Sequence, residues 1–194
     1  MAMILASQSP RRRELLGQMG FSFTVRPAKG EELPHPELTP AQLVEELARQ
    51  KALEVSAEAA SDDVVVAADT VVAIDGVVLG KPRDKAHAAE MLSALSGREH
   101  TVYTGVAVKR GETLLVEHEA TQVRFRPLTE REIDLYIQTG EPMDKAGSYG
   151  IQGYGALLVE GIRGDYSNVV GLPVCRLGQM LKDFGVDCLA LAGR

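Results

Sequence analysis

Residues 5–20 read LASQSPRRRELLGQMG and set three arginines, Arg11, Arg12 and Arg13, in what should be the first turn of a helix. Ser9 suits the N-cap, and Pro10 the first helical position, where a missing N–H costs nothing. Leu15, Leu16 and Met19 supply an apolar stripe and Gly20 a stop. Cations at the positive end of a helix dipole are disfavoured by roughly 0.3–1 kcal/mol each when exposed. An anionic ligand would reverse that sign, since the free N–H groups of a helix start and guanidinium forks both suit phosphate oxygens. Three solvated arginines, their cost reduced by screening, are the other reading of the same turn.

Three more features run against local structural logic. Lys51 falls on the face of a predicted helix that Leu43, Val44, Leu47 and Ala48 mark as core. It must snorkel to solvent, meet a carboxylate or point into a cleft. Asp69 interrupts the apolar run VVVAADTVVAI, and an ionised carboxylate inside a buried strand is costly unless it is paired or binds a metal. The strand could instead stop at Ala68, but the continuation TVVAI argues against that. Lys81, in GKPRD, sits in a loop ahead of a helix; alone it is a weak signal that reads first as a surface turn. Glu31 and Glu32 could add a second acid or a metal ligand, or be a solvated loop pair. His35, His87, His100 and His118 show no metal-ligand spacing, and P-loop, dinucleotide-binding, zinc-protease and nucleophile-elbow signatures are absent. Arginines, placed lysines, an awkward aspartate and an acidic loop form an inventory for triphosphate and metal: bases neutralise phosphates, and carboxylates hold a divalent ion or activate water.

The elements that must position these residues are legible in outline. MAMILA predicts a strand leading into the Ser9–Gly20 helix, and FSFTVRP a second strand. Pro34 and Pro36 bar regular structure in the loop that follows. Thr39, Pro40 and Gln42 form a capping-box start for a helix from Pro40 to about Val55. VVVAADTVVAI predicts a strand buried on both faces, and Asp75-Gly76 a hairpin returning through VVL. Asp84 caps a helix to about Leu95, stopped by Gly97. HTVYTGVAVKR and ETLLVEHEATQVRF predict an antiparallel pair turning near Gly111. Thr129 and Glu132 start a short helix ending near Gly140; KAGSYGIQGYG predicts irregular chain, ALLVEGI a strand, and Pro173 the last helix, to about Phe184. Strand pairs mixed with helices predict an α/β or α+β fold with a central mixed sheet flanked by helices.

The bulk properties set bounds. A chain of 194 residues suits one domain, over residues 1–194, and at this size roughly 70% of the unfolded surface can be buried without staples. A net charge of −6 argues against a general nucleic-acid binder, so a basic cluster on it points to a small anion. Cys175 and Cys188 are isolated thiols that fit a reducing cytoplasm. MILA is too short for a signal peptide and no run approaches membrane-spanning length, so neither secretion nor a membrane is expected.

The stretches LASQSPRRRELL, AADTVV, GKPRD, LSGREHTVYTGVAV and EPMDKAGSYGIQGYGALLVEGIRGDYSNVVGLP together resemble the Maf family of nucleoside triphosphate pyrophosphatases, from residue 4 to about residue 181. The resemblance implies a mixed, twisted sheet flanked by helices, in two lobes around a deep cleft, similar to inosine triphosphate pyrophosphatase. It implies cleavage of a nucleoside triphosphate between the α- and β-phosphates, with Mg²⁺ or Mn²⁺ as cofactor, in a cytoplasmic homodimer that acts on neither membranes nor nucleic-acid polymers. The family's catalytic aspartate falls on Asp69 as proton acceptor, and its phosphate cluster on Ser7, Ser9, Arg11, Arg12, Glu32, Lys51 and Lys81. Asp69 and Glu32 are the implied metal ligands; Arg13 has no fixed role and stays a solvated residue.

Three positions separate family subgroups. Arg, Thr and Gln occur where dTTP and UTP are hydrolysed, and Trp, Gln and Glu where 7-methyl-GTP is; this chain has Arg11, Thr70 and Gln152. A glutamine amide donates and accepts at once, as the O4/N3–H edge of uracil or thymine requires, whereas a glutamate only accepts. The expected activity is hydrolysis of dTTP and UTP, with 5-methyl-UTP and pseudo-UTP as further candidates, in nucleotide-pool house-cleaning. A non-catalytic regulator of septum formation is the rival, but a binding module would not need Asp69, Glu32 and Lys81 together.

Overall fold

Strand β1 (Met3–Leu5) feeds through Ser9, which caps α1 (Pro10–Gln18), into β2 (Phe23–Val25). Helix α2 (Pro40–Ser56) then leads to β3 (Val64–Ile74). The computed structural model describes residues 2–30 and 35–192; Glu31 and Glu32 lie outside them. One sheet runs β2-β1-β3, then β5 (Glu99–Arg110), β6 (Thr113–Phe125) and β7 (Val159–Arg163), with β4 (Val77–Leu79) hydrogen-bonded to β3. It is mixed: β1 is parallel to β2 and β3, while β4 and β7 are antiparallel to β3 and β6.

The chain divides into two compact units, to both of which β3, β5 and β6 contribute. The first comprises Met1–Asp69, Thr104–Glu119 and Gly171–Arg194. Its core packs Ile4, Ala6, Val65, Ala67 and Ala107 of the sheet against Ala48, Ala52 and Val55 of α2. Small residues dominate because helix and strand approach closely. A Cβ on Gly105 would stand 2.1 Å from the Val44 carbonyl oxygen, so only glycine lets α2 lie there. The capping box of α2 forms as predicted, Thr39 accepting from the Gln42 amide and Gln42 from that of Thr39.

The second unit comprises Thr70–Tyr103 and Ala120–Val170. Its core joins Val72 and Ile74 to α3 (Lys85–Leu95), to α4 (Glu130–Gln138) and to Phe125 and Tyr149. Asp75 and Gly76 take φ values of 52° and 78°, the left-handed pair that the predicted β3–β4 hairpin needs. The glycine-rich stretch is irregular as expected, built from 3₁₀ turns at Glu141–Asp144, Ala146–Ser148 and Gly153–Leu157. The last of these corrects the strand expected to start at Ala156: Ala156 and Leu157 close the turn, and β7 begins at Val159. Two short helices lacked a periodic signal, α5 (Tyr166–Val170) and α7 (Cys188–Ala192). Helix α6 (Val174–Lys182), opened by Pro173, is therefore not the last.

Candidate active site

At the β1–α1 junction, local chemistry fixes one of the three arginines. Ser9 caps α1, its Oγ accepting from the Arg12 amide at 3.4 Å. The Ser9 amide donates to Oγ of buried Ser7 at 3.2 Å. The Arg12 side chain folds back, Nη1 donating to the same Ser7 oxygen at 3.2 Å and Nε to the Gly171 carbonyl at 2.8 Å. Arg11 is half-buried and Arg13 exposed. No acidic side chain occupies the first turn of α1, so its N–H groups and arginines form a positive helix end.

The Lys51 ammonium donates to Oδ1 of Asp69, and both side chains are largely shielded from solvent. Strand β3 continues through Asp69 to Ile74, so Asp69 is held in mid-sheet rather than capping a strand end. Leu5 is level with Val66 in the parallel register, and the Ala6 amide, one residue past β1, donates to the Val66 carbonyl at 2.8 Å. Winding also reverses there: the chain leaves β1 for β2 on one side and returns as β3 on the other. In open α/β sheets such a reversal opens a crevice at the carboxyl ends of the strands, where ligands bind. The first unit thus sets Ser7, Ser9, Arg11 and Arg12 past the carboxyl end of β1, and the Lys51–Asp69 pair on the neighbouring β3 three residues beyond Val66.

Thr70, Lys81 and Gln152 belong to the second unit. Thr70 is half-buried, and strand alternation turns it to the face opposite Asp69. Lys81 is exposed in the loop after β4, and that loop is tied to the glycine-rich stretch by the Gly147 amide donating to the Gly80 carbonyl at 3.1 Å. Gly147 has a φ of 67°, and a Cβ on it would stand 2.8 Å from Val72, so no other residue fits. Gln152 is half-buried at the N-cap of the Gly153–Leu157 turn, yet its side chain makes no capping hydrogen bond. Glu32 lies outside the described residues.

The family described as Maf-like protein matches residues 2–184. The chain belongs to the Maf family. Similar Maf relatives include the dTTP/UTP pyrophosphatase of Symbiobacterium thermophilum, 55% identical over 184 residues and covering 94% of each chain. Those of Moorella thermoacetica (55% identical, 95% and 96% covered) and Bacillus pumilus (52%, 95% and 97%) carry the same name. A crystal structure of a nucleoside-triphosphatase / dITP/XTP pyrophosphatase from Mycobacterium abscessus is similar at a TM-score of 0.45 and 16% identity, covering 94% of each chain. The fold rests on the sheet order above, not on that weak likeness.

Two features of this Maf chain escaped the sequence reading. Gly171, in NVVGLP, offers the carbonyl that holds Arg12, and no sequence signal points to it. Glu141 and Tyr136 grip the turn that carries Gln152; a tyrosine on an apolar helix face invites a search for its hydroxyl's partner.

The donor set bears on a metal. Among the described residues, no group of three or more His, Cys, Asp or Glu could hold an ion. Magnesium commonly binds through one or two carboxylates together with substrate phosphates rather than in an all-protein cage. Asp69, an oxygen donor beside the arginine-bearing helix start, fits that mode of binding.

Proposed function

We propose that this Maf chain hydrolyses dTTP and UTP, and modified pyrimidine nucleotides such as 5-methyl-UTP, to the monophosphate and pyrophosphate. It acts as one domain over residues 1–194 and serves in nucleotide-pool house-cleaning. The Lys51–Asp69 pair, largely shielded from solvent, in the same unit as the helix start that carries Arg11 and Arg12, is the observation that carries the reading. The names and high identity of the Maf relatives support it. A cytoplasmic homodimer goes with it, as does the absence among the described residues of any helix long and apolar enough to cross a membrane.

In this reading Ser7, Ser9, Arg11, Arg12, Glu32, Lys51 and Lys81 form the phosphate site. Guanidiniums, ammoniums and the first N–H groups of α1 neutralise oxygens on which charge grows as the bond breaks. Asp69, oriented by Lys51, takes a proton from the water that attacks the α-phosphorus. The bond from that phosphorus to the bridging oxygen breaks, and pyrophosphate leaves with the electron pair. A divalent cation held by Asp69 and Glu32 with the phosphates would supply Lewis-acid polarisation of those oxygens. Arg11, Thr70 and Gln152 select the base.

Pyrophosphate release from a nucleotide panel with Mg²⁺ or Mn²⁺ tests the reading. Monophosphate plus pyrophosphate from dTTP and UTP is the expected result. Diphosphate plus orthophosphate, or preference for 7-methyl-GTP over both, would overturn it.

A further inference from the structure

The turn from Gly150 to Gly155 carries Gln152 at its bend and contains three glycines, at positions 150, 153 and 155. Such a segment has little intrinsic reason to hold one conformation. Its two ends are nonetheless in contact: a Cβ on Gly155 would stand 1.9 Å from the Gly150 carbonyl oxygen. One carboxylate grips the outgoing end. Oε2 of Glu141 accepts from the Tyr154 amide at 3.0 Å, and Oε1 from the Gly155 amide at 2.9 Å. The incoming end is gripped through Tyr136, whose hydroxyl donates to the same Oε1 at 2.8 Å and accepts from the Gly150 amide at 3.2 Å. Burial pushes the Tyr136 hydroxyl well above the ordinary tyrosine range, so it stays protonated and fills both roles. Glu141 is itself pinned, its amide donating to Thr139 Oγ1 at 3.1 Å and its carbonyl accepting from Lys145 Nζ at 2.7 Å.

We infer that Glu141 and Tyr136 are positioning residues for base selection: they clamp both ends of the Gly150–Gly155 turn so that the Gln152 amide meets the base from one fixed place. The inference rests on the reading of Gln152 as a base-selecting residue. Three donors converge on the Glu141 carboxylate, so position 141 needs a group that only accepts. A glutamine there would set an NH₂ against a backbone N–H. The clamp bears on selectivity because an amide turned over by half a rotation offers cytosine the pattern it otherwise offers uracil. A loosened turn lets that happen.

The test uses Glu141→Gln, with Tyr136→Phe as a second variant that removes a single oxygen. Amide exchange at Gly150, Tyr154 and Gly155 is expected to accelerate about tenfold or more, with the sheet core unchanged. The ratio of kcat/KM for UTP to that for CTP is expected to fall about tenfold, chiefly through KM for UTP. In a Gln152→Ala background, Glu141→Gln should change that ratio no further. Unchanged exchange overturns the inference. So does a parallel loss on both nucleotides, the mark of a merely structural role, or an additive effect with Gln152→Ala. Wild-type protein that hydrolyses UTP and CTP equally overturns the reading of Gln152 and takes the inference with it. The exchange rates need no substrate, and separate that failure from a clamp that does not hold.

Discussion

A buried carboxylate bonded to a half-buried ammonium is costly machinery, and Asp69 with Lys51 is such a pair. Asp69→Asn keeps the volume and a hydrogen-bonding oxygen but loses the proton acceptor. Turnover should fall about 10²–10⁴-fold in pyrophosphate release, while the thermal melt shows a folded protein. Full activity in the folded variant would remove Asp69 from the mechanism. The arginine turn makes a second contrast. Arg12 is fixed by Ser7 and Gly171, whereas Arg13 is exposed. Arg12→Ala should lower kcat/KM about tenfold or more, and Arg13→Ala by no more than about twofold. Equal sensitivity would show that the phosphate register is shifted by one residue. Gln152→Glu should weaken use of dTTP and UTP selectively, because a carboxylate cannot donate to O4 of the base. An unchanged preference in the same nucleotide panel would remove Gln152 from base selection.

Among the elements, α2 matters most to the chemistry, because it carries Lys51. Its seat depends on Gly105 in β5, where an added methyl would meet the Val44 backbone. The backbone cannot step aside as a flexible side chain would, so Gly105→Ala should displace the helix. A loss of about 3 kcal/mol, at the upper end for overpacking, is expected in a urea melt, together with lower kcat from a displaced Lys51. A variant of wild-type stability would show that α2 does not depend on this close approach.

For the whole molecule, stability should depend on pH through His100. This side chain is 3% exposed in the core of the second unit, its Nε2 2.7 Å from the Tyr149 hydroxyl and its Nδ1 without a hydrogen-bond partner among the described residues. Burial lowers its pKa from 6.5 to about 4. The unfolded chain then binds the proton more readily than the folded one, so stability falls as pH drops from 6.5 towards 4, by an amount of order 3 kcal/mol. Glu46, held down to about 2 by Arg49, adds a smaller, solvent-screened loss as pH falls through 4.5. Urea melts between pH 7 and 4.5 should show the slope, and His100→Gln should flatten it above pH 5; an unflattened slope would assign it to other groups. Much of this architecture is legible along the chain. Caps at Ser9, Thr39, Asp84 and Thr129, the β-branched run of β3 and the Asp75-Gly76 hairpin are local signals, decided by each residue's own hydrogen bonds and dihedral freedom. Arg11, Arg12, Lys51 and Asp69 were legible for the same reason, as charges set where local structure disfavours them, whereas Ser7, Thr70 and Gln152 stood out only through the resemblance to the family. Other features were not: the Lys51–Asp69 bond, the Gly171 carbonyl under Arg12, and the grip of Glu141 and Tyr136 on the turn of Gln152. Hydrogen-bond partners 14 or 159 residues apart leave no periodic trace, because only the packed sheet and helices bring them within reach. The sequence alone determined which residues had to find a partner, and the tertiary structure decided which partner each one met.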